Sequence, residues 1–96
     1  MPKAFIIVFY RNSPEREKLD EYAPKAFAAM KGFGANFLAR GNPAKIFESG
    51  LQERVVVVEF DDVDAAEKAY LSEPYQAAFR LLGDVERDVR IIETMD

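Results

Sequence analysis

Residues Gln52 to Phe60, Gln-Glu-Arg-Val-Val-Val-Val-Glu-Phe, restrict what this chain can fold into more than any other stretch. Side chains alternate faces along a strand, so Val56, Val58 and Phe60 fall on one side and Val55, Val57 and Glu59 on the other. Both sides are apolar, which rules out a strand with one wet face. β-Branching favours strand over helix for the run. The expectation is a central strand covered on both sides. Lys3 to Tyr10 repeats the pattern, with Ala4, Ile6, Val8 and Tyr10 against Phe5, Ile7 and Phe9.

The rest of the chain supplies the elements around these two strands. Ser13 suits a helix N-cap and Pro14 the first helical position, with Glu15 and Glu17 at the positive end of the helix dipole. Leu19, Tyr22, Ala23, Ala26, Phe27 and Met30 then recur at helical spacing as one buried stripe. Pro24 removes the bond to the carbonyl of Asp20, which predicts a kink or a helix in two pieces. Gly32 and Gly34 close it.

Ala35 to Arg40 reads as a second strand, with Phe37 and Ala39 on one face and Asn36, Leu38 and Arg40 on the other. Gly41-Asn42-Pro43 breaks it, and Ala44 to Leu51 reads as an irregular connection with a short strand piece around Lys45 to Glu48. After the central strand, Asp61 or Asp62 caps a short helix, and Ser72 with Pro74 starts another that Gly83 stops. Arg87 to Glu93 is the last strand, with Val89 and Ile91 on one face and Ile92 on the other.

The order is β-α-β-β-α-β with the second helix broken in two, in a single domain over residues 1–96. That is the α+β, ferredoxin-like plan: a four-stranded antiparallel sheet with the helices on one face. The opposite face then carries large apolar residues from every strand, an unusual patch for a monomer to expose. Packing two sheets face to face covers it, so a homodimer is expected. A chain of 96 residues buries roughly 60–70% of its unfolded surface, a margin that assembly would widen.

Composition narrows the chemistry. The chain has no cysteine and no histidine, so disulfides, thiolate or imidazole metal sites and a histidine general base are excluded. No oxygen-ligand loop for calcium or magnesium is visible, and no metal or cofactor is expected. A net charge of −4 without a basic stripe argues against nucleic acid and anionic membranes as partners. The apolar run Ala4 to Tyr10 is too short to span a bilayer and lacks the flanks of a signal peptide, which reads as cytoplasmic.

Five residues stand out as site candidates. Arg40 ends a strand beside Gly41, where it could hold the carboxylate of a small organic acid or pair with Glu48, Glu59 or a partner chain. Tyr22 and Tyr75 lie on helix stripes aimed at the sheet, either lining a pocket or packing in the core with one satisfied hydroxyl each. Glu59 is the one charge inside the valine strand: a general base, or an ion pair with Arg90 or Arg40. Tyr75 joins it as a catalytic candidate, and Asn36 could orient a polar ligand. Ser72 has no partner base in sequence and is an N-cap.

Gly34 to Gly41, Ser72 with Tyr75-Gln76, and the Val-Glu-Phe end of the central strand resemble the DUF1330 family. Ser13-Pro14-Glu15 and Tyr22 fit its first helix. The resemblance implies a ferredoxin-like protomer of the dimeric α/β-barrel superfamily, which includes cofactor-free monooxygenases and muconolactone isomerase-like enzymes. The sequence departs from the family pattern at Ala35 and Asn36, at Asn42 in place of a second glycine, and at Leu82 in place of an arginine. Two functions are open. One is cofactor-independent oxygenase or isomerase-like chemistry on a small organic acid. The other is a binding or regulatory module without turnover.

Overall fold

The structure, a computed structural model, describes residues 2–95. Strand β1 (Ala4–Tyr10) leads to helix α1 (Arg16–Lys31) and strand β2 (Asn36–Gly41). Strand β3 (Val55–Phe60), helices α2 (Val63–Leu71) and α3 (Glu73–Phe79), a 3-10 turn at Arg80–Leu82 and strand β4 (Arg87–Glu93) complete it. The sheet order is β2-β3-β1-β4, and each of its three pairings is antiparallel. This is the ferredoxin-like plan expected from the sequence. The valine strand and β1 occupy its centre.

One face of the sheet packs on the helices. Ile6, Val8, Tyr10, Val58 and Phe60 meet Tyr22, Ala26 and Met30 of α1 and Ala66, Ala69, Tyr75 and Ala78 of α2 and α3. Each large side chain buried there contributes about 1.5–3 kcal/mol. The other face carries Phe5, Ile7, Val55 and Val57, half-buried, with Phe9 and Ile92 exposed. Among the described residues no helix packs on that face, and the Arg90 guanidinium lies 5.8 Å from the Phe9 ring centroid there.

Local chemistry sets the helix boundaries, with differences from expectation. The α1 helix begins at Arg16, with Glu15 extended and no side-chain cap, while Ser13 Oγ donates to Glu53 Oε1 (2.8 Å). Pro24 lies inside α1, which continues unbroken through it. Asp20 and Pro24 are both exposed, so the carbonyl that loses its bond can turn to water. Residues 44–51 contain no strand. Asp62 caps α2, its carboxylate accepting from the Ala65 amide at 2.8 Å. Gly83 takes φ 68, a conformation that favours glycine, and a Cβ there would meet Lys18 Nζ at 2.8 Å.

Candidate functional site

Ser72 governs the most important turn. Its hydroxyl donates to the carbonyl of Ala69 (2.7 Å) and accepts from the amide of Tyr75 (3.3 Å). One side chain thus ends α2, starts α3 and fixes the residue that points inward. From α1, Tyr22 meets it: the two hydroxyls share a hydrogen bond of 2.7 Å, and the rings lie edge to face at 6.2 Å.

Arg87, the first residue of β4, pairs across the sheet with buried Tyr10 and therefore points at the helices. Its Nη1 donates to Tyr22 Oη (3.3 Å) and its Nη2 to Tyr75 Oη (3.1 Å). The guanidinium also lies 4.2 Å from the centroid of Phe79 and 5.5 Å from that of Tyr10. Such contacts favour a cation but do not neutralise it. Burial, opposed by Arg87, pushes the Tyr22 and Tyr75 hydroxyls above the ordinary tyrosine range. Both are therefore neutral phenols at physiological pH. Burial weighs against the Arg87 charge, but the neighbouring tyrosine oxygens outweigh it and hold its pKa above the usual value.

These side chains close one end of a cavity between helices and sheet, with a volume of about 40 Å³. That is room for about three waters. Its walls are apolar and aromatic, among them Phe27, Phe37 and Tyr70, and three arginines line it: Arg40, Arg54 and Arg87. A wider recess of about 310 Å³, bounded by Ala23, Pro24, Phe27 and Arg40, shares residues with it. No carboxylate lines either space among the described residues. None of the three arginines forms an ion pair with a described residue, although Arg40 lies over the rings of Phe27 (5.5 Å) and Phe37 (5.9 Å). The Nε atoms of Arg54 and Arg87 are buried without a hydrogen-bond partner.

Of the residues singled out from the sequence, Tyr22, Tyr75 and Arg40 come together here. Asn36 and Glu59 do not. They pair with each other across β2 and β3 on the opposite face, where Asn36 Nδ2 donates to Glu59 Oε1 (3.4 Å) and Lys3 Nζ lies 3.6 Å away. Alternation alone placed Arg40 beside Asn36. An irregularity between Phe37 and Ala39 changes the register, so that Arg40 stands opposite Val56 and reaches the helix side. The ion pairs foreseen for Glu59 with Arg90 or Arg40 are replaced by Lys3 and Asn36.

Arg54 and Arg87 were not among the sequence candidates. The signal was present: Arg54 shares parity with Val56 and Val58, and Arg87 with Val89 and Ile91. A basic residue in phase with a buried set at a strand end is a lining candidate.

Fold and site together define a ferredoxin-like α+β chain with an arginine-lined cavity under its helices. The chain belongs to the DUF1330 family, a domain of unknown function, whose model matches residues 3–95. No curated protein matches the sequence. Among solved structures, a protein of unknown function from Rhodopseudomonas palustris is similar with a TM-score of 0.71 at 10% identity, over 99% of this chain and 84% of that one. A dimeric ferredoxin-like protein of unknown function from Jannaschia sp. CCS1 has a TM-score of 0.68 at 16% identity, over 96% and 99%. SnoaB, a cofactor-independent oxygenase from Streptomyces nogalater, has a TM-score of 0.63 at 10% identity, over 100% and 96%. At such identities the likeness concerns the fold.

Proposed function

We propose that this protein binds a small organic acid across the arginine-lined cavity and the wider recess that shares Arg40 with it, and works as a homodimer joined through its open sheet faces. One observation carries the binding reading: Arg40, Arg54 and Arg87 line a single space with no carboxylate among them, in a chain whose net charge is −4. Arg54 and Arg87 are half-buried, each with a buried Nε, and a cation so placed without a counter-charge is costly, while Arg40 is exposed. A ligand carboxylate would supply that charge through charge-assisted hydrogen bonds. The aromatic walls suit an apolar or aromatic body on the acid.

Binding is favoured over turnover by the lining itself. Proton abstraction from a substrate needs a base, and the described lining offers no carboxylate or imidazole, while the Tyr22 and Tyr75 phenols are held protonated. The oxygenase reading draws its support from SnoaB, a structural neighbour at 10% identity. The dimer reading rests on the apolar open face and on neighbours described as dimeric. Its interface should exceed roughly 1,000 Å².

A thermal-shift screen of aliphatic and aromatic carboxylic acids tests the binding reading. Some acids should stabilise the protein, and Arg40→Ala should weaken that binding roughly ten- to a hundredfold, the worth of an arginine–carboxylate bond. If acids stabilise wild type and Arg40→Ala equally, or neither, Arg40 does not hold a ligand.

A further inference from the structure

A count of protons in the Tyr22–Tyr75–Arg87 cluster says more about the ligand. Each tyrosine oxygen already accepts one bond from Arg87. The two hydroxyls carry two protons, and the bond between them uses only one. Whichever tyrosine accepts in that bond keeps its own O–H, for which no further acceptor is provided by a described residue. The buried Nε–H groups of Arg87 and Arg54 are two more donors without acceptors. A guanidinium has five N–H donors and no acceptor, so donors outnumber acceptors around this end of the cavity even with the Tyr10 and Tyr70 hydroxyls that also line it. A bare pair of phenols would be balanced; this cluster has surplus donors.

We infer that the Tyr22–Tyr75–Arg87 cluster binds a second, acceptor oxygen of the ligand, so that the bound acid carries a carbonyl or similar oxygen as well as its carboxylate. This rests on the acid-binding reading above. Arg40 and Arg87 stand on the two edge strands, three strand spacings or about 14 Å apart across the sheet, and are offset by two residues along the strands. A carboxylate near Arg40 and an oxygen at the cluster must accordingly be several bonds apart, as in a 4-oxo acid. Water can fill the same place between ligands, because it also accepts from these donors.

The test compares 4-oxopentanoate with pentanoate, which differ by the one oxygen, by calorimetric titration of wild type, Tyr22→Phe, Tyr75→Phe and Arg40→Ala. Wild type should prefer 4-oxopentanoate by about tenfold or more, the effect of one good buried hydrogen bond. Proton counting predicts an asymmetry between the tyrosine variants. Losing the tyrosine that presents the spare proton should erase the preference, whereas losing its donor should leave most of it. Loss of the preference in both variants also supports the site, with the oxygen bridging the two phenols. If one variant fails to fold, the wild-type ratio still decides. Equal binding of both acids, weakened for both by Arg40→Ala, overturns the second-oxygen site and leaves the carboxylate reading standing. A preference that survives in both tyrosine variants also overturns it. Failure of either acid to bind at millimolar concentration removes the acid-binding reading and this inference with it.

Discussion

Arg87 and Asp88 are consecutive in β4 and meet opposite environments. Asp88 faces the open side of the sheet and accepts two hydrogen bonds from Arg90, from Nε at 3.1 Å and Nη2 at 2.7 Å. Glu59 on the same side has Lys3 and Asn36. Arg87 turns under the helices and meets phenols and rings, and Arg54 and Arg40, which line the same cavity, have no carboxylate partner among the described residues either. The same sheet therefore pairs its charges on one side and leaves them unpaired on the other. Charges that serve the fold are neutralised within the chain, whereas a site must keep some charge for what it binds. The open side serves a second need, since its charges surround apolar residues that assembly would cover.

The largest expected effect tests the open side. In Val57→Lys an ammonium would be placed among Phe5, Ile7 and Val55 at the proposed interface, where an unpaired buried charge costs several kcal/mol. Light scattering on wild type at micromolar concentration should report twice the chain mass of 10.9 kDa. The variant should be monomeric or unfolded. A monomeric wild type would mean that the open face is covered by something other than a second copy.

A second prediction tests the helix side. Replacing a buried charge by an apolar side chain of similar size is often neutral or stabilising. Arg87→Met should therefore keep the melting temperature, or raise it, while acid binding weakens roughly ten- to a hundredfold. Calorimetric titration beside a thermal melt separates the two effects. A large fall in melting temperature with unchanged affinity would make Arg87 a structural residue and end the contrast between the faces.

These residues also show how far the sequence could be read. The order of elements, the two-sided central strands and the Ser72 cap follow from alternation and turn chemistry, which are local. Tyr22 and Tyr75 were visible because helical spacing aimed both at the sheet. Arg40 was found for its place at a strand end but assigned to the wrong face, because the β2 irregularity leaves no mark in the hydrophobic pattern. Glu59 stood out as a charge among valines, yet its partners are an edge-strand asparagine and an N-terminal lysine. Arg87 was overlooked because a charged residue at a strand end ordinarily faces water. Its phase with Val89 and Ile91 marks it as a lining residue, but the two hydroxyls from separate helices that converge on it leave no mark in the sequence.

The smallest expected effect belongs to Asp88. Its hydrogen bonds from Arg90 hold its carboxyl below the usual range. A carboxylate with a lowered folded-state pKa contributes stability above its unfolded pKa, and loses it as pH falls through the folded value. Asp88→Asn should therefore lower stability slightly at neutral pH, and the difference from wild type should shrink as pH falls through the carboxylate range. Arg90 is 68% exposed, and salt should reduce even that difference. Acid binding at neutral pH should be unchanged, because Asp88 and the cavity lie on opposite faces of the strand. Denaturation midpoints from pH 3 to 8 in low and high salt, with one titration of the stabilising acid at neutral pH, check this. A loss of affinity in Asp88→Asn would show that the two faces are coupled through β4, and that pairing on one side helps to set Arg87 on the other.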